Sequence, residues 1–132
     1  MKSAVLCLLL VPCTFGQEPT KLPEIVLKPL PAEGKLAVFR PAFAKYLRVF
    51  DVLVVATEKT SDRKVLHAGH VLAQYLDNDE DGKPDNPKVA ANLRERGAFL
   101  AMAARERDFR RLRMNWRKLE RAGFKLGQDL YG

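Results

Sequence analysis

Residues 77–85 read Asp-Asn-Asp-Glu-Asp-Gly-Lys-Pro-Asp, and this run constrains the fold more than any other part of the chain. Asp, Asn, Gly and Pro are turn formers, and Gly82 and Pro84 interrupt both helix and strand, so the segment must be a turning loop. Carboxylates crowded to about 5 Å repel by roughly 0.8 kcal/mol per pair at water's dielectric, and a divalent cation turns that repulsion into attraction. The pattern D-x-D-x-D-G-x-x-D has the spacing of the front of a calcium loop. Calcium takes roughly six to eight oxygen ligands, and alternate residues of a turning loop point their side chains inward. Asp77, Asp79 and Asp81 would supply loop positions 1, 3 and 5. Gly82 at position 6 permits the bend, Lys83 would offer its backbone carbonyl, and Asp85 would ligate directly or through water at position 9.

The flanking sequence predicts a helix on each side. Ser61 is a good N-cap with Asp62 in the first turn, and Val65, Leu66, Ala68, Leu72 and Leu76 fall on one helical face. After the loop, Asn86 caps, Pro87 takes the first helical position, and the helix runs to about Arg96 before Gly97 ends it. The plan is therefore helix–loop–helix. Two positions depart from a full EF-hand. Lys88 stands at position 12 in place of a bidentate glutamate. Pro84 at position 8 has no amide hydrogen to give a partner loop, so the loop is expected to act alone. Without the bidentate ligand, a dissociation constant of about 10⁻⁴–10⁻³ M is expected, the range of extracellular modules.

Residues 65–86, VLHAGHVLAQYLDNDEDGKPDN, resemble a segment of secreted bacterial proteins of unassigned function that carry an EF-hand-like D-x-D-x-D-G loop. The resemblance covers residues 48–131 and rests on Asp77, Asp79, Asp81 and Asp85. It implies calcium binding and export and no settled activity. Members of that group are longer, so residues 37–132 read either as a single small domain or as the N-terminal part of a larger one.

Residues 1–16 read as a signal peptide. Lys2 begins it, residues 4–12 are apolar, and Thr14-Phe15-Gly16 offers a cleavage site before Gln17. A lipoprotein site at Cys13 is the lesser alternative, because Pro12 precedes it where a small residue is wanted. The expected location is secreted or periplasmic. Cleavage of sixteen of the 132 residues leaves 116 and removes both cysteines. The mature chain would then have no disulfide and no thiolate ligand or nucleophile, and would rely on core packing or a bound metal.

Residues 17–36 hold Pro19, Pro23, Pro29 and Pro31 and read as an extended tether or sheet-edge segment, with a short strand at 24–27. Residues 41–48 suggest a short helix, and the apolar run 49–56 (VFDVLVVA) a buried strand. Residues 98–103 (AFLAMA) fit a strand or a helix. Residues 106–121 place Phe109, Leu112, Trp116 and Leu119 at helical spacing with Gly123 as the stop, and residues 127–132 read as a tail. The expected fold class is α/β (or α+β): a small helix-rich domain with a short parallel strand pair and the helix–loop–helix unit.

Two further clusters bear on function. His67 and His70 share a helix face with Gln74 and Asp77, and could form part of a zinc site, but no third strong ligand, H-E-x-x-H pattern or nearby general base completes it. The basic surplus lies in the C-terminal third: residues 89–132 hold eleven Lys+Arg against five Asp+Glu, whereas residues 17–88 hold eleven of each. Arg105, Arg110, Arg111, Arg113 and Arg117 on a helix would suit an anionic polymer or membrane surface. Nucleic acid is the weaker expectation, since export removes the usual partner and the aromatics fall on the apolar face. The main reading is a secreted calcium-binding module with a structural or binding role. The alternatives are the N-terminal fragment of an extracellular metal-dependent hydrolase, for which the chain holds no complete catalytic constellation, and an anionic-polymer or lipid binder.

Overall fold

The computed structural model describes residues 24–131, so the expected signal peptide and the first part of the expected tether lie outside the described residues. Alternation along the strands sets the architecture. In β3 (Val52–Ala56), Leu53 and Val55 point to one side and Val54 and Ala56 to the other, and all five residues are buried. A strand apolar on both faces belongs at the centre of a covered sheet. It pairs antiparallel with β2 (Lys45–Val49) and parallel with β4 (Ala98–Ala103). β1 (Lys28–Pro29) and β5 (Leu126–Tyr131) complete a mixed five-stranded sheet in sequence order, β5 lying parallel to β4. The domain is thus of mixed α and β type, with the expected parallel pair at β3–β4.

Each face carries its own core. On one side α1 (Asp62–Leu76) packs Val65, Ala68 and Ala73 against Leu47, Val49, Val54, Ala56 and Met102. On the other, a 3₁₀ turn (Lys35–Phe39), α3 (Glu106–Phe109) and α4 (Trp116–Arg121) gather around Leu53, Val55, Phe99 and Ala101. Phe39 is the hub of that side, with edge-on ring contacts to Phe43, Phe99 and Phe124 at 6.1, 5.1 and 4.7 Å between centroids.

Several sequence expectations give way. The helix expected over 41–48 is instead a turn followed by β2, in which Leu47 and Val49 face inward and Arg48 outward, a period of two. The run 49–56 is not one strand: Phe50 and Asp51, both at positive φ, form a two-residue hairpin loop between β2 and β3. The strand expected at 24–27 forms one step later, at β1. The helix over 106–121 is broken between Phe109 and Trp116, where Asn115 accepts the Lys118 amide at 3.1 Å and starts α4 afresh. The expected tail is β5. Residues 98–103 resolve as strand.

The crossover from β3 to β4 carries α1, the acidic loop and α2 (Pro87–Glu95). Because β3 and β4 are parallel, α1 must return the chain to the end where both strands begin. The ion pair between Arg94 of α2 and Asp51 of the β2–β3 hairpin, 3.6 Å apart, fixes α2 at that end. The acidic loop therefore sits at the amino ends of the central strands.

Candidate metal centre

Local chemistry builds the loop from both helix ends. Ser61 caps α1 by accepting the Lys64 amide at 3.4 Å, and Asn86 caps α2 by accepting the Lys88 and Val89 amides at 3.2 and 3.3 Å. Pro87, without an amide hydrogen, stands where the helix leaves that group unused. Asp77 closes α1, its amide still bonded to the Ala73 carbonyl at 2.8 Å. The Asp85 amide then returns to the Leu76 carbonyl at 2.8 Å, so the loop is cinched at its neck.

Inside the neck Asp77 is buried to 1% exposure. Its Oδ1 accepts the Asp81 amide at 3.0 Å and its Oδ2 the Gly82 amide at 2.9 Å. Such an arrangement lets a carboxylate be buried at modest cost, because both oxygens are served by donors. The bend that brings those amides inward uses positive φ at Glu80 (57°) and Gly82 (84°). Asp85 accepts the Asn78 amide at 3.0 Å and Asp81 the Lys83 amide at 2.8 Å.

Carboxylate oxygens of Asp77, Asp79 and Asp85 lie within 4.8 Å of one another, and this is the one group of three or more acidic, histidine or cysteine ligands among the described residues. The three Asp residues could hold a metal ion. Asp81 stands outside that group, its carboxylate engaged with the Lys83 amide.

Electrostatics at Asp79 register the crowding. The Asp81 amide, bonded to it at 3.3 Å, favours the ionised form. Partial desolvation, the Asp81 charge, the shared contact with Asp77 and the Asp85 charge oppose it, and together they hold the Asp79 carboxyl above its ordinary value. A group pushed toward its neutral form by desolvation and by neighbouring negative charge is one that a cation would return to the ionised form.

His67 and His70 are exposed on α1 and, with Gln74, Asp77 and Glu80, line a cavity of about 360 Å³ beside the loop. Among the described residues they join no group of three ligands. The arginines expected on one helix are divided: Arg105 and Arg110 flank α3, Arg111 and Arg113 lie between the two short helices, and Arg117 lies on α4. Arg105, Arg110, Arg111, Arg113 and Arg117 are all exposed, and Arg110 is paired with Glu106.

Comparison with protein-family models, curated proteins and solved structures finds no significant match. No described helix is long and apolar enough to cross a membrane.

Proposed function

We propose that the chain is an exported module whose loop 77–85 binds calcium and so staples α1 to α2, with a structural or binding role and no catalytic one. The convergence of Asp77, Asp79 and Asp85 at the neck of a helix–loop–helix unit carries this reading. Hard oxygen donors without nitrogen or sulfur favour calcium over zinc or copper. Asp81 and the Lys83 carbonyl would complete the set; Asp81 would exchange its bond to the Lys83 amide for the ion. The site's place supports a staple. Ligand clefts of open α/β sheets lie beyond the carboxyl ends of the strands, whereas this loop sits at the amino ends.

Calcium titration by calorimetry tests the proposal. We expect one site per chain with a dissociation constant near 10⁻⁴–10⁻³ M, about the range of extracellular modules, and loss of that heat in Asp79→Ala and Asp81→Ala. A zinc response dependent on His67 and His70, with none to calcium, would instead support the hydrolase-fragment alternative.

A further inference from the structure

The two edges of the sheet are built differently. β1 is two residues long and consists of Lys28 and Pro29, a charged residue and one without an amide donor, both devices that blunt an edge. β5 at the other edge is six residues long, has no proline, and among the described residues has no strand on its outer side. All six of its residues are exposed. Beside it, between β4–β5 and α1, runs a groove of about 1380 Å³ whose walls include Leu66, Val71, Tyr75, Leu100, Met102 and Leu130.

The register with β4 assigns the side chains of β5 to faces. Leu126, Gln128 and Leu130 pair with Ala98, Leu100 and Met102, on the side of α1; Gly127, Asp129 and Tyr131 pair with Phe99, Ala101 and Ala103, on the other. Residues directly opposite in an antiparallel pair share a face. A two-fold axis at Gln128 would therefore set Leu126 of one copy opposite Leu130 of the other, twice, on the groove side. These leucines are 38% and 40% exposed. On the opposite face the same axis sets Gly127 opposite Asp129 and Lys125 opposite Tyr131. Lys125 is then diagonal to Asp129 of the second copy, within reach of its long side chain. An axis one residue further on, at Asp129, would instead place the two Asp129 carboxylates face to face.

We propose that β5 is a dimerisation edge, pairing antiparallel with β5 of a second copy about a two-fold axis at Gln128 to give a continuous ten-stranded sheet. Charge and apolar complementarity select that register: the leucines meet across the groove side and Lys125 meets Asp129 on the other. An edge-to-edge contact of this size is modest, so the expected dissociation constant is about 1–100 μM.

Sedimentation equilibrium of the purified chain up to about 300 μM tests the idea, with Lys125→Asp, Asp129→Lys and the double exchange as variants. Both sites are exposed, so folding is expected to survive, and a melting curve for each variant checks it. The two symmetry-related pairs turn from attraction to repulsion in each single variant, which should weaken the dimer about tenfold. The double exchange should restore it to within about threefold. A monomer at every concentration overturns the proposal. So does a dimer that the single reversals leave unchanged, or one that the double exchange fails to restore.

Discussion

The Asp77 carboxylate and the Gly82 amide, 2.9 Å apart, tie the first residue of the acidic loop to its sharpest bend. With the bond from Asp81 to the same carboxylate, this contact turns a run of acidic residues into a closed loop beneath the end of α1. Asp77 thus has two duties, one in the fold and one in the proposed ion site, while Asp79 and Asp85 lie exposed.

That division separates the variants. Asp77→Ala should destabilise the protein with or without calcium, by about 1–3 kcal/mol, because in a partly buried place the Gly82 amide loses its acceptor and the Asp81 amide keeps only its longer bond to Asp79. Asp79→Asn keeps an acceptor for the Asp81 amide and removes a repelled charge, so in chelator it should be as stable as the parent or more so. Urea denaturation of both, in chelator and in calcium, reads the difference; equal losses in chelator would contradict it.

Acid should act oppositely on the Asp79 penalty in the calcium-free protein and on the ion site. Asp79 has a raised folded-state pKa, so its ionised form is disfavoured in the folded chain relative to the unfolded one. That penalty is present at neutral pH and is relieved as pH falls through the raised value toward the ordinary aspartate value of about 3.9. In chelator the stability advantage of Asp79→Asn over the parent should therefore shrink with falling pH. In the parent, calcium affinity should weaken over the same range, because the proton competes for the ligand. An advantage that widened on acidification would overturn the assignment.

Gly82→Ala should cost roughly 1–2 kcal/mol, since position 82 holds φ at 84°. Gly97→Ala should cost more, about 3 kcal/mol. Position 97 also has positive φ, at 59°, and a Cβ there would stand 1.8 Å from the Gly123 carbonyl oxygen, a backbone atom that cannot swing aside. Thermal melting of the two variants gives the order; an equal or reversed order would count against the close packing of 97 on 123.

The parts of this fold legible in the sequence are those whose signals are local. Ser61, Asn86 and Pro87 cap or open their helices through bonds within three residues, and Gly97 and Gly123 mark stops by their own φ. β3 and β4 show as short apolar runs. The missed elements depend on distant partners. Leu126 to Tyr131 has little apolar alternation and no burial, and is a strand only because β4 offers its edge. Phe50 and Asp51 make a positive-φ hairpin without the usual Asn-Gly, so a turn hid inside an apolar run. Phe109, Leu112 and Leu119 do share one core, as their spacing suggested, yet the chain reaches it through two short helices. Asn115, a good N-cap inside the run, was the available sign of the break. In the acidic loop, the spacing drew attention to four aspartates. That Asp77, Asp79 and Asp85 converge while Asp81 holds a neighbouring amide follows from the bend at Gly82, which spacing alone does not resolve.

The most direct test of the central claim is the melting temperature of the parent chain in about 10 mM calcium against the same protein in chelator. With a dissociation constant of about 10⁻⁴–10⁻³ M, linkage gives roughly 1.4–2.7 kcal/mol of stabilisation, or a rise of roughly 5–10 °C, absent in Asp79→Ala. An unchanged melting temperature, or the same rise in Asp79→Ala, would contradict a calcium staple at residues 77–85.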